Sequence, residues 1–321
     1  MSYYSLITAN RASSLLYSFL TSRENGTYLI PANVCPVIPM TFRLANVGFR
    51  FADIARDTLC IDKQECFDFA KRCRGNGGVV YVRTYGCLED EESFFNDLKN
   101  EYPNFTIIDD RCLCLPEITM ETTSADMILY STGYAKQVDL GEGGFCYVKS
   151  DEKFPLNSNL QFDNEELDQY CVRSIETGRP LSDKPIYWLD VKPLKEKVDS
   201  YLRTIRNKIE ERQRQRITIN KIYDNALPED LRFANKFQNW RYNICVTPSL
   251  KGIILKELFE NKLFASSHYK PVNKLFDYDC YPVVNDLSEN VINLFNDYHY
   301  TEQMAIQTAD IILNVLSKSK K

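Results

Sequence analysis

Six short runs of apolar and β-branched residues fall near positions 27–30, 49–54, 79–84, 105–109, 127–131 and 145–149, and helical stretches such as Asp62 to Arg74 and Glu91 to Tyr102 separate them. Strands spaced this way pair side by side in parallel, because a parallel crossover needs a connection of helix length. The alternation predicts an α/β fold, a mainly parallel sheet covered by helices in three layers. A region rich in Asn, Asp, Glu and Pro follows from Asp151 to Pro185 and reads as loop or insertion. Beyond it Val198, Leu202, Ile205 and Ile209 recur at helical spacing within the basic run Lys192 to Arg216. That spacing predicts a long amphipathic helix joining a large domain, 1–195, to a small α+β C-terminal domain, 196–321.

Charge and cysteine usage narrow the function classes. Glu196, Asp199, Glu210 and Glu211 interrupt the basic run and the chain carries a net charge of −5, so the run reads as a solvated helix face and no nucleic-acid partner is expected. Eleven scattered cysteines, an odd number, suit a reducing compartment. Cys112-Leu113-Cys114 is too closely spaced for a usual zinc half-site, and with only His268 and His299 present a metal centre built on several histidines is excluded. There is no secretory leader pattern and no long uncharged apolar run, so the expected location is cytoplasmic, without a membrane partner.

The stretch Tyr130-Ser131-Thr132-Gly133-Tyr134-Ala135-Lys136-Gln137-Val138-Asp139-Leu140-Gly141-Glu142-Gly143-Gly144 carries the chemistry. A lysine five residues after a serine is followed by glycines expected to turn the chain with positive φ at Gly141, Gly143 and Gly144 and return it as a strand from Phe145. Upstream, Phe105 to Asp110 reads as a buried strand ending in two carboxylates, and strand ends are where open α/β sheets place ligands. Taken singly, these residues also suit a hairpin with an exposed lysine and an Asp pair serving as a cap or turn.

In order along the chain they resemble the DegT/DnrJ/EryC1/StrS family of pyridoxal 5′-phosphate (PLP) sugar aminotransferases, of fold type I. Family members carry Ser-x-x-x-x-Lys followed by Gly-Glu-Gly-Gly, as at Ser131, Lys136 and Gly141 to Gly144 here. The resemblance implies that Lys136 forms the Schiff base with the cofactor and serves as general base, that Asp110 faces the pyridine nitrogen, and that Ser131 holds the phosphate. Asn10-Arg11-Ala12, opening an apolar helix, resembles the phosphate-binding turn, and Tyr28 to Pro36 resembles the strand and turn that bring a side chain, Cys35, over the ring. Phe49 to Ile54 and Val79 to Gly86 resemble two further strands of the family. In the C-terminal half Ser267-His268-Tyr269-Lys270-Pro271 resembles the His-Tyr-x-Pro loop, placing His268 toward the substrate, and Arg212, Arg214 and Arg216 before Tyr223 resemble the Arg-Arg helix. Val291 to Phe295 resembles the strand before the terminal helix.

The resemblance implies a homodimeric aminotransferase that moves an amino group from glutamate to a keto sugar, attached to a nucleotide, in surface polysaccharide biosynthesis. The chain also departs from the family. Leu113 stands where Gln or His usually reaches the cofactor's phenolic oxygen, the resemblance begins without the family's leading segment, and the Gly-x-Asn-x-Arg loop is not visible between Asp151 and Lys192. These departures keep two other readings open: another PLP reaction (dehydratase, decarboxylase or aldolase), or a non-catalytic binding partner.

Overall fold

The computed structural model describes residues 4–23, 26–119, 122–149, 194–276 and 279–319, with isolated positions between 156 and 177. Most of 151–193, read above as loop or insertion, lies outside the described residues. The first part runs β1 (Tyr4–Ala9), α1 (Ala12–Thr21), β2 (Thr27–Pro31), α2 (Val37–Leu44), β3 (Gly48–Ala52), α3 (Lys63–Arg72), β4 (Gly77–Val82), α4 (Glu92–Glu101), β5 (Thr106–Asp110), β6 (Met127–Ser131) and β7 (Gly144–Lys149). The seven strands form one sheet in the order β1-β7-β6-β5-β4-β2-β3. Pairing is parallel from β3 through β6 and antiparallel at β6–β7 and β7–β1. The sheet is therefore mainly parallel, as the alternation of strand and helix predicts.

Both faces are covered, which explains why the central strands are apolar at nearly every position. Side chains alternate along each strand. Ile108 and Leu129 join Leu15, Phe19, Met40 and Phe42 of α1 and α2 on one face. Ile107 and Ile128 join Phe69, Phe94, Phe95 and Leu98 of α3 and α4 on the other. Register places Val82 and Asp110, the last residues of β4 and β5, side by side with Leu129 in the middle of β6.

The second part begins with α5 (Val198–Ala226) and continues through β8 (Tyr242–Cys245), α6 (Pro248–Glu260), β9 (Ala265–Ser266), α7 (Pro282–Asn290), β10 (Val291–Leu294) and α8 (Glu302–Ser319). Its three strands pair antiparallel in the order β8-β10-β9. Helix α5 is shared: Tyr201 and Ile205 pack with the large sheet, while Ile219 and Tyr223 belong to the cluster around the small one. Its basic face is not uniformly solvated, because Arg212 and Arg216 are buried, whereas Val198 is exposed. Among the described residues no helix is long and apolar enough to cross a membrane.

Candidate active site

In a sheet ordered β5-β4-β2-β3, consecutive connections leave in opposite directions on either side of β2, and such switch points open a crevice at the carboxyl ends of the strands. A cavity of about 260 Å³ lies there. Its walls come from Val34 and Cys35 after β2, Val82 on β4, Asp110 at the end of β5, and Leu129 and Ser131 on β6. Lys136, Arg11 and Tyr269 complete it. The structure thus gathers five of the residues singled out in the sequence, Lys136, Asp110, Ser131, Arg11 and Cys35, around one apolar recess.

The two carboxylates of β5 point to opposite faces and have opposite surroundings. Asp109 receives Arg83 through Nε at 2.7 Å and Nη2 at 3.0 Å, and Arg111 through Nε at 2.8 Å. Burial raises its pKa, but the charges of Arg83 and Arg111 outweigh burial and hold it below the usual carboxylate range. Asp110 lines the cavity, and its Oδ1 accepts the Cys112 N–H at 2.9 Å. Among the described residues no cation forms an ion pair with it, and burial pushes its pKa up despite the hydrogen bonds from Cys112 and the more distant charge of Lys136. A buried carboxylate in that state is suited to a ligand that presents a positively charged N–H.

The Lys136 loop is held from several sides. The Asp139 carboxylate accepts the Ala135 N–H at 2.9 Å and the Gly141 N–H at 2.8 Å, closing the turn from within. Trp240 Nε1 donates to the Ala135 carbonyl at 2.6 Å, and Arg216 Nη1 to that of Gln137 at 3.1 Å. Gln137 Nε2 in turn donates to the Leu113 carbonyl at 2.8 Å. Burial, and then the charge of Arg241, push the Arg216 pKa down to about 10, so a costly buried guanidinium is spent on carbonyls of the lysine loop.

Ser131 and Arg11 flank Gly133: a Cβ added there would stand 3.6 Å from Ser131 Oγ and 3.7 Å from Arg11 Nη1. Together with the amino end of α1, this cationic corner fits an anionic group such as a phosphate. The glycines that follow divide the work differently from the sequence expectation. Gly141 and Gly143 have φ of +77° and +97°, but Gly144 does not have positive φ. A Cβ on Gly144 would come 2.5 Å from Ala12 N, so this glycine is required by the close approach of α1 to β7.

Two expected site residues are placed otherwise. Asn10 is buried outside the cavity lining, its carbonyl accepting the Gly143 N–H at 2.6 Å, and Ala12 and Ser13 line the phosphate-like corner with Arg11 instead. His268 is not part of the lining; its ring packs against Trp240 and Tyr269, with centroids at 5.6 and 4.9 Å. Burial, then the charges of Arg241 and Lys136, push its pKa down to about 4, so it is neutral near pH 7. Its neighbour Tyr269 faces the cavity in its place, the phenol's pKa raised by burial and by Cys35 and Asp110. Trp240 acts on a backbone carbonyl and leaves no motif, whereas Arg216, which reaches the lysine loop in the same way, lies in the Arg212, Arg214 and Arg216 run already marked in the sequence.

No protein-family profile matches the sequence, and no curated protein matches it. Solved structures do. A candidate PLP-dependent aminotransferase from Bacillus cereus superposes with a TM-score of 0.71 at 17% identity, covering 96% of this chain and 86% of that one. DesI, solved in the presence of its TDP-sugar product, gives 0.70 at 13% identity over 98% and 83%. A DegT DnrJ EryC1 StrS aminotransferase from Brucella abortus gives 0.66 at 15% identity over 96% and 85%. The chain shares the fold of these aminotransferases.

Proposed function

We propose that the chain is a PLP-dependent aminotransferase of the DegT/DnrJ/EryC1/StrS type, passing an amino group from glutamate to a nucleotide-linked keto sugar in cytoplasmic biosynthesis of a surface polysaccharide. The observation that carries the reading is the convergence of Lys136, Asp110 and Ser131 on one apolar cavity at the switch point. The fold likeness to DesI and to the Bacillus cereus and Brucella abortus proteins supports it. When bound, the cofactor supplies an electron sink for the carbanion left when a C–H bond breaks. In this reading residues 1–195 bind the cofactor and 196–321 form the linking helix and small domain.

The residues fit that group. Asp110 would keep a proton on the ring nitrogen, and the opposite charge so gained would relieve its own burial. Ser131 Oγ, Arg11 and the amino end of α1 would hold the phosphate. Val34, Ile38 and Leu129 would exclude water around the ring, with Cys35 in the same wall. Lys136 Nζ would take and hold the proton from the substrate carbon that bears the amine, its loop fixed by Trp240 and Arg216. Neutral His268 would orient Tyr269 toward the substrate from behind the lining.

Glutamate added to PLP-loaded protein in the absence of any acceptor should release one equivalent of 2-oxoglutarate per chain, and no release would remove transamination. Leu113 favours a second reading. Its apolar side chain lines the cavity where a polar partner for the cofactor's phenolic oxygen is usual, which suits another PLP reaction such as dehydration, decarboxylation or aldol cleavage. Cofactor binding without 2-oxoglutarate would favour that reading.

The proposal includes a homodimer with the site at the interface. Tyr134, 72% exposed at the cavity, offers an aromatic surface for a second copy to cover. Light scattering at low micromolar concentration should give twice 37.3 kDa. A monomer that still holds one PLP per chain would contradict the shared site.

A further inference from the structure

The strands of the large sheet have a second set of ends. The amino ends of β2, β4, β5 and β6 open onto a recess of about 930 Å³, on the side away from the candidate active site. Thr106 at the start of β5 lines this recess, while Asp110 at its end lines the first cavity, so the two are separated by about 13 Å of extended strand. Four cations line the recess from four different elements: Arg23 after α1, Arg74 between α3 and β4, Lys99 on α4 and Lys149 at the end of β7.

One carboxylate opposes them among the described lining residues, Asp126, and it is fully engaged. Asp126 accepts the Ile107 N–H at 2.7 Å and pairs with Lys99 Nζ at 2.6 Å and Lys149 Nζ at 2.9 Å. Two ammonium groups thus share one carboxylate, and the Arg74 guanidinium lines the same recess. Charges on a freely solvated rim would be screened by water, but the side chains of Lys99 and Lys149 are only 16% and 25% exposed. Burial, and the nearby charges of Lys149 and Arg23, draw the Lys99 pKa below its ordinary value in spite of Asp126. Arg23 Nη1 donates to Thr106 Oγ1 at 3.0 Å, an arrangement that leaves the hydroxyl hydrogen for another acceptor.

In a chain of net charge −5, a concave, partly desolvated excess of positive charge calls for an anion. We infer that this recess is a second ligand site, for a small molecule bearing phosphate groups. Phosphate chemistry is favoured over a single carboxylate because cations arriving from separate elements surround a multiply charged, multi-oxygen group better than a planar one. The volume admits more than inorganic phosphate.

The test is calorimetric titration of inorganic pyrophosphate into PLP-loaded protein, with ionic strength held constant by chloride. Saturable binding of one pyrophosphate per chain is expected, weakened at least tenfold in Arg74→Ala/Lys149→Gln and unchanged in Ser131→Ala, which alters only the first cavity. Arg74 is exposed and Lys149→Gln keeps an unbranched stem and a polar end without the charge; a melting temperature within a few degrees of the parent protein, and a rise on adding pyrophosphate that the double variant lacks, would confirm that the loss is one of binding. Absence of saturable heat, equal affinity in the double variant, or loss in Ser131→Ala would overturn the inference. Repeating the titration without added PLP separates its failure from failure of the PLP reading, since the recess lies at the opposite ends of the strands and requires no cofactor.

Discussion

Replacing Asp109 with alanine is expected to destabilise the fold by about 3–5 kcal/mol, the usual cost of leaving buried ionic partners without their counter-charge. Asp109 is fully buried and is the carboxylate that both Arg83 and Arg111 contact. Arg83 is itself 3% exposed, so its guanidinium has little access to water once the carboxylate is gone. Asp110→Ala should behave differently, keeping a near-native melting temperature and losing PLP retention, because its side chain enters the cavity and forms no ion pair among the described residues. Thermal unfolding of the two variants, each with and without PLP, is the check; the opposite ranking would put the wrong carboxylate in the site. The same network has a pH signature. Since the folded-state pKa of Asp109 is depressed, its stabilisation is present above the ordinary carboxylate range and is lost as pH falls through the folded value, so part of the acid unfolding of the parent protein should be absent in Asp109→Ala.

Lys136→Ala should lower the rate of any half-reaction with glutamate by about 10²–10⁴-fold, the contribution of a positioned proton-transfer group, while leaving the fold intact. The loop that carries the lysine is closed by Asp139, Trp240 and Arg216 through backbone atoms that the substitution preserves. Stopped-flow measurement of keto-acid formation is the check. A rate equal to that of the parent protein would leave Lys136 without a role.

What the sequence made legible was the part in which pattern and environment coincide. β5 was readable because an apolar β-branched run is what a strand buried on both faces requires, and the carboxylates follow at the end where ligands bind. β1 was not, because Tyr-Ser-Leu-Ile-Thr-Ala is only half-buried along most of its length and its pairing with β7 lies some 140 residues away. α2 was hidden by Pro39 within its first turn, where proline is tolerated but reads as a breaker. Arg212 and Arg216 read as solvated because charge normally is, and only the tertiary contacts to Tyr298 and to the lysine loop bury them. In the site, the Lys136 loop and Asp110 stood out as a motif, whereas Trp240 donates through an indole N–H to a carbonyl 105 positions away, a contact no spacing announces.

Lys136 is the residue proposed to meet the cofactor beside Asp110 and Ser131. Borohydride reduction of PLP-treated protein followed by peptide mapping tests this most directly. One reduced cofactor per chain, found on the peptide carrying Lys136 and absent from Lys136→Ala, is the predicted result; reduced cofactor on another lysine, or none on any, would contradict it.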